Sequence, residues 1–527
     1  MASIVGKKRG GSTYYYLVES ARVDGKPRIV AQEYLGTAEE LAAAMRGGGL
    51  GLPDGTLNRD FGAVAAAWGI LEDLGAARII DKAAGPAPAG QPLSTGACLA
   101  LAALNRLVDP CSKSGFARWW KTTAAGRFTK IPSTALDHRR FWDAMHAVTP
   151  QQLEQASEQI AAQIIRSSGA DVSSVALDMT NFAAFIATGN QKAPVAQRGK
   201  ARQHRADLRL VGLGLVVTRD GGIPLTWHAY PGDRPGVTQF PVMVTQLKAR
   251  YEAVCAAAGL DLAAPDITVV FDAGQNSEGN FADFTATGMH YIGSAPASDC
   301  PDLLALPASR RTIVDRKRFG GLTAFDTRRT AYGAERRAIL THSPELHEAQ
   351  AAGFAGTTLA GVARKLDELA ARLARGKTRK ARDKVEAEIT SIASAAWVRR
   401  VIRWELAGDT PKDFRLAWHI DEQARAALEE EIFGKHVLIT SHDDWPVPEV
   451  VAGYRSQSEA EFGFRQLKDP HAVSFSPMHH WTEHNIRVHV FTCVLALQIA
   501  HRMLTETSPV QDKLAGIFGL DRYAPRR

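Results

Sequence analysis

YRSQSEAEFGFRQLK, residues 454–468, is the stretch on which the reading of this chain turns. Pro446 and Pro448 precede it and no proline lies inside it, so a helix can begin near them and run through. At about 100° per residue, Tyr454, Gln457, Glu461, Arg465 and Lys468 share an arc of roughly 80°. Gly453, Ala460, Phe464 and Leu467 form the adjacent apolar stripe. The pattern predicts one helix from Val450 onward. It buries one side and presents a carboxylate flanked by a phenol, an amide and two cations. Alone, such a face is an ordinary solvated helix surface. It gains weight from two earlier apolar strands that each end in an aspartate, Asp178 and Asp272.

The chain has 527 residues, more than one domain on length alone. Its 45% hydrophobic and 23% charged content is that of a globular protein. A net charge of +7 favours anionic partners mildly and is too small to name nucleic acid. The start, MASIVGKKRGG, has no apolar run before its basic cluster and does not read as a secretory signal. Val488 to Ile499, the longest apolar helical stretch, is too short to span a bilayer, so no membrane is expected. Cys98, Cys111, Cys255, Cys300 and Cys493 are scattered and lack a CxxC pair, which fits a reducing cytoplasm.

Outward from the glutamate stretch, the rest of the chain divides as follows. Residues 1–46 hold a β-hairpin over 13–35, with Asp24-Gly25 as its turn, and a short helix. GGGLGLPDG (47–55) reads as a linker. Residues 57–167 are helical, interrupted by the loop AGPAPAGQP (84–92). They carry the basic-aromatic cluster Arg118, Trp119, Trp120 and Lys121; a helical region of this kind suits subunit packing equally, and DNA binding is the expectation taken here. From 173 to 299 the pattern is a mixed α/β sheet. It has a strand through Asp178, strands at Leu208–Val217 and Ile223–Tyr230 joined by RDGG, a helix at Thr238–Ala258, a strand stopping at Asp272, and one at His290–Ser294. Residues 300–435 break this rhythm and read as an insertion of short strands and a long helix from about Leu359. Arg372, Arg375, Lys377, Arg379, Lys380, Arg382 and Lys384 there make the densest basic patch in the sequence. The sheet resumes at HVLITSHDD (436–444) and runs through the glutamate helix and an apolar helix to 507. Residues 508–527 form a tail.

An aspartate after an apolar strand is usually a turn former or a helix cap. Three carboxylates gathered by a sheet and a helix are different. Such charges cannot all stay ionised without compensation, so their pKa values rise or a cation binds. Hard oxygen ligands suit Mg2+ or Mn2+, and two such ions about 3.5–4 Å apart can clamp the oxygens of a phosphodiester. Tyr454, Arg465 and Lys468 beside the third carboxylate would then hold the flanking phosphates. Trp404, Trp418 and Trp445 could stack on a flipped base, though burial explains a tryptophan more often.

These blocks resemble the DDE transposases of bacterial insertion sequences, in the group whose third carboxylate lies in a Tyr-x2-Arg-x3-Glu-x6-Lys signature. Tyr454, Glu461 and Lys468 match that spacing, and Gln457 stands where the family has arginine. LDMTNF around Asp178 resembles the first-aspartate block, VVFDAGQNSEGNF the second, and DLRLVGLGLVVTRDGGIPLTWHAYPGD the hairpin between them. The YLG ending of the N-terminal hairpin is also similar. The resemblance covers essentially the whole chain. It implies a multidomain protein with an α/β ribonuclease H-like catalytic core, an inserted domain before the glutamate helix, and an N-terminal β-hairpin and helical domain. It implies Asp178, Asp272 and Glu461 as ligands of two Mg2+ or Mn2+ ions, and Tyr454, Gln457, Arg465 and Lys468 as DNA-binding residues. The implied activity is cleavage of double-stranded DNA at the element's ends and joining of the 3′ hydroxyl to target DNA, by a homodimer or larger assembly in a bacterial cytoplasm, associated with the nucleoid. Two rivals share these residues: a ribonuclease H-like nuclease without strand transfer, and a non-catalytic DNA-binding derivative of a transposase.

Overall fold

The computed structural model describes residues 2–23, 26–47, 57–85, 91–199, 207–219 and 221–518. The chain is a multidomain α/β protein of two compact units, Met1–Asp60 and Phe61–Arg527.

In the first unit, β1 (Ala2–Arg9), β2 (Ser12–Val23) and β3 (Lys26–Thr37) pair antiparallel in that order. The expected hairpin therefore has a third strand, and Lys7, Lys8 and Arg9 lie in it. Gly10 and Gly11 join β1 to β2 at φ of 57° and 86°, the left-handed backbone a two-residue hairpin turn requires. The expected turn at Asp24-Gly25 falls outside the described residues, although the strands pair up to Val23↔Lys26. Helix Ala38–Gly47 follows. Thr37 and Glu40 cap its start reciprocally: Glu40 N–H donates to Thr37 Oγ1 at 3.2 Å, and Thr37 N–H donates to Glu40 at 2.8 Å. The expected linker at 47–55 lies almost wholly outside the described residues.

The second unit is built on a mixed nine-stranded sheet. Its strands are β4 (Ser174–Ala184), β5 (Arg209–Thr218), β6 (Pro224–Pro231), β7 (Thr268–Phe271), β8 (His290–Ala295), β9 (Thr312–Ile313), β10 (Thr323–Ala331), β11 (Ala334–His342) and, after the two-stranded ribbon β12 (Ile402–Ala407) and β13 (Arg415–Ile420), β14 (Lys435–Thr440). The order across the sheet is β6-β5-β4-β7-β8-β14-β11-β10-β9. The β4-β7 and β7-β8 pairs are parallel, and the rest are antiparallel.

Strand alternation divides the core. Ala176, Val270, Ile292 and Leu438 face one side; Val175, Leu177, Val269, Phe271 and Ile439 face the other. The second side is covered by helix Gly236–Ala258, through Phe240 and Val244, and helix Glu278–Ala286, through Phe281 and Phe284. The first side is covered by helix Gln457–Lys468 and by the C-terminal helix Glu483–Phe518. Glu483–Thr507 of that helix is long and apolar enough to cross a membrane, which corrects the shorter stretch read from sequence. Its window is 78% buried inside the protein, as expected of a core helix apolar on all sides.

The helices between residues 61 and 168 do not form a body of their own. Val64, Leu101, Trp120 and Ile160 belong to the same hydrophobic core as Phe182 and Leu497. Trp119 and Trp120 are buried, so the expected basic-aromatic cluster presents no indole for stacking on a base.

The insertion is shorter than the 300–435 read from sequence, because β9, β10 and β11 extend the main sheet. The segment with its own core runs from helix Pro344–Gly353 to Phe433, around Leu366, Leu373, Val385, Phe414 and Leu428. Its ends meet: His342 and Lys435 are paired neighbours in β11 and β14. The expected long helix is a hairpin of helices Ala360–Ala374 and Arg382–Ile392, turning at Gly376 with φ of 64°.

Candidate active site

β4 places Asp178 mid-strand, not at a strand end. It differs by two and four residues from Thr180 and Phe182, so all three share the face that the glutamate helix covers. β7 runs parallel beside β4 in the register Ser174↔Thr268, Val175↔Val269, Ala176↔Val270. Continuing that register by two residues sets Asp178 level with Asp272. Asp272 follows the last residue of β7 and keeps an extended backbone, φ −86° and ψ 162°. The two aspartates, far apart in sequence, thus sit on neighbouring strands at one level and on one face.

Each is held by the backbone that follows it. Asp178 Oδ1 accepts from Met179 N–H at 2.7 Å. Asp272 Oδ1 accepts from Ala273 N–H at 2.7 Å and from the Ser294 hydroxyl at 3.0 Å, capping the turn Ala273–Gln275. No sequence pattern marks Ser294, on β8; only its pairing beside β7 makes it a neighbour of Asp272.

The expected single helix is two: Val447–Arg455, which carries Tyr454, and Gln457–Lys468, which carries Glu461. They meet at Ser456, whose hydroxyl turns back to the Gly453 carbonyl. Gly453 packs against the sheet so closely that a Cβ there would lie 2.5 Å from Ile292 Cδ1. The second helix buries Ala460, Gly463, Phe464 and Leu467, and three contacts fix its level on β4. Gln457 Nε2 donates to the Leu177 carbonyl at 3.2 Å, the Phe464 ring centre is 6.5 Å from that of Phe182, and Lys468 Nζ donates to Thr180 Oγ1 at 2.7 Å. Leu177 immediately precedes Asp178. Glu461, one turn after Gln457, is exposed on the helix held beside that aspartate.

Tyr454 reports on two of the carboxylates. Burial pushes its phenol up to about 12; a hydrogen bond with Ser294 opposes this, and the nearby Asp272 and Glu461 carboxylates raise it further. Burial likewise raises the Tyr230 phenol, with the Asp178 charge adding to it. The cations are less concentrated than the sequence face implied. Arg465 is exposed with its guanidinium 5.6 Å from the centre of the Phe462 ring, and no ion pair joins it to Glu461 among the described residues. Gln457 is 6% exposed and turned into the sheet, which corrects its expected place on a DNA-contacting face: its amide fastens the helix to β4. Trp404 and Trp418 sit opposite each other across β12 and β13, and Trp445 stacks on His442 at 3.8 Å.

Asp178 and Asp272 are therefore level on neighbouring strands, and Glu461 is exposed on the helix fastened beside them. The three do not close into a ligand set as they stand, since no three His, Cys, Asp or Glu side chains among the described residues are placed to hold a metal ion.

No model of a known protein family matches the chain, and no curated protein matches it. Among solved structures it is similar to the cryo-EM structure of a piggyBac transposase synaptic complex with hairpin DNA. That match has 7% sequence identity and a TM-score of 0.32, and covers 88% of this chain and 70% of that one. A likeness this weak decides neither fold family nor function.

Proposed function

We propose that the chain is a metal-dependent DNA transposase with a ribonuclease H-like core, which cuts DNA at the ends of an insertion sequence and joins the 3′ hydroxyl to target DNA. The observation that carries this reading is the register placing Asp178 level with Asp272, with Glu461 on a helix fastened to the residue before Asp178. The resemblance of the surrounding sequence blocks supports it independently.

The donor set fits Mg2+ or Mn2+ in chemistry: it is three carboxylates, with no thiol or imidazole among them. Asp178, Asp272 and Glu461 would hold two ions, which when bound would supply positive charge to the attacking and leaving oxygens. Bringing the three together requires the exposed Glu461 side chain to swing toward the aspartates. Ser294 and the following backbone amides keep the aspartate carboxylates from turning away. Tyr454 stays neutral at working pH and can donate to a phosphate oxygen. Lys468 and Arg465, and on the insertion Arg375, Lys377, Arg379 and Lys384, are exposed cations suited to the DNA backbone. A homodimer or larger assembly on paired DNA ends belongs to the same reading.

The test is incubation of the purified chain with DNA flanking its own gene, in Mg2+ or in EDTA, with nicks mapped. Nicks at the element's ends in Mg2+ only are expected. Asp178→Asn, Asp272→Asn and Glu461→Gln should each abolish them while the protein stays folded and DNA-bound. Near-normal cutting by any one of the three would remove that residue from the site, and DNA binding without cutting by the wild type would favour the non-catalytic reading.

A further inference from the structure

A cavity of about 500 Å3, within the range of small-molecule sites, opens between the helical segment and the start of the C-terminal helix. Arg106, Lys113, His480, Trp481, Asn485 and His489 line it, and no carboxylate does among the described residues. Arg106 is 3% exposed. Its guanidinium donates to the carbonyls of Ser474, at 3.2 Å, and Cys111, but forms no ion pair among the described residues, and its Nε has no partner. A buried guanidinium held only by carbonyls leaves a positive charge uncompensated. Lys113 adds a second. Burial, then the like charge of Arg106, hold its ammonium down to about 8 against the opposing influence of Cys493 and Cys111. Lys192 lies beside the lining residue Trp481, its ammonium 4.9 Å from that ring centre.

The neutral groups are as specific. His489 is 3% exposed, and its Nε2 lies 2.8 Å from the Phe475 carbonyl. A carbonyl only accepts, so Nε2 carries the proton and Nδ1 of the neutral ring presents a lone pair. That Nδ1 has no partner, and neither has Oδ1 of Asn485, which is 8% exposed. Burying such atoms unpaired costs stability that a ligand recovers. The wall thus offers two cations, Lys113 and Arg106 with its unused Nε–H, and two unused acceptors. A singly protonated phosphate monoester has anionic oxygens for the two cations and a P–OH for one of the acceptors; a DNA phosphodiester has no such proton.

We propose that this cavity binds a phosphate monoester, either a free one or the 5′ phosphate of a DNA end. None of Asp178, Asp272 and Glu461 lines the cavity, and it would bind phosphate whether or not they cut DNA. The test is calorimetric titration of the full chain with inorganic phosphate in EDTA, which keeps metal ions out of the measurement. One saturable site is expected. Lys113→Gln, and Lys113→Met as a second variant, should weaken it at least tenfold with thermal unfolding unchanged in the absence of phosphate. The exposed-patch variant Arg375→Gln/Lys377→Gln/Arg379→Gln should leave it intact. Displacement by DNA identifies the source. If a 5′-phosphorylated duplex displaces phosphate and the 5′-hydroxyl duplex does not, the ligand is a DNA end; if neither does, it is a free monoester. The proposal is overturned if binding does not saturate, if both Lys113 variants bind as tightly as the wild type, or if the 5′-hydroxyl duplex displaces phosphate equally well.

Discussion

Gln457 stands where the resembled family has arginine, and it is buried with its amide on the Leu177 carbonyl. Nothing in the sequence distinguishes that place from Glu461 or Arg465, which share its helical arc. The difference arises because the helix lies flat on β4, so an 80° arc spans the boundary between sheet contact and solvent. Removing the amide leaves a buried carbonyl unpaired, at a cost of about 1–3 kcal/mol. Gln457→Ala is therefore expected to lose about that much in urea unfolding, and to lower nicking because Glu461 is no longer held level with Asp178. Unchanged stability together with weaker DNA binding would return Gln457 to the DNA face. The spacing places Glu461 and Lys468 on one helix, but it does not show the break at Ser456 that puts Tyr454 on another. Ser294 and Thr180 are not legible from spacing, since their roles come from strand pairing.

At the scale of elements, local patterns mark β4 to β8 and β14 correctly, because a buried strand is a run of apolar residues wherever it pairs. What they cannot show is which sheet a strand joins. β11 pairs with β14 across the whole insertion, so β9 to β11 read as part of the insertion although they extend the main sheet. The basic residues before the Gly10-Gly11 turn hide it in the sequence. The basic patch read as part of a helix proves to crown the turn between two helices. Glu388 pairs with Arg372 and Lys380, leaving Arg375, Lys377, Arg379 and Lys384 exposed and outside any ion pair among the described residues. If the turn lies on the DNA backbone, Arg375→Gln/Lys377→Gln/Arg379→Gln should weaken end binding evenly across sequences. The slope of log affinity against log salt should drop by roughly 0.9 for each phosphate that is no longer neutralised. Arg465→Ala should lower it by roughly one. Lines parallel to the wild type would mean that these cations are merely solvated.

For the whole molecule, the division of the chain changes what a truncation can test. The sequence alone invites removal of residues 1–167 to separate DNA recognition from catalysis. That cut would strip Leu99, Leu101, Leu104, Ile160 and their neighbours from the core shared with the sheet. Each such side chain contributes roughly 1.5–3 kcal/mol by burial, and together they exceed the roughly 5–15 kcal/mol by which a folded chain is stable. The fragment 168–527 is expected not to fold. The boundary after Asp60 is the one that leaves a compact unit. A fragment starting at Phe61 should unfold cooperatively, keep weak, salt-sensitive DNA binding and lose selection of the element's own ends. Retained selection against competitor DNA would place recognition in the second unit.

The claim that Asp178, Asp272 and Glu461 act as one strand-transfer site is tested most directly with a precut DNA end bearing a free 3′ hydroxyl, incubated with target DNA in Mg2+. The wild type should give joined product, and Glu461→Gln, Asp272→Asn or added EDTA should give none. Absence of joined product from a wild type that still nicks DNA, or equal joining by Glu461→Gln, would contradict it.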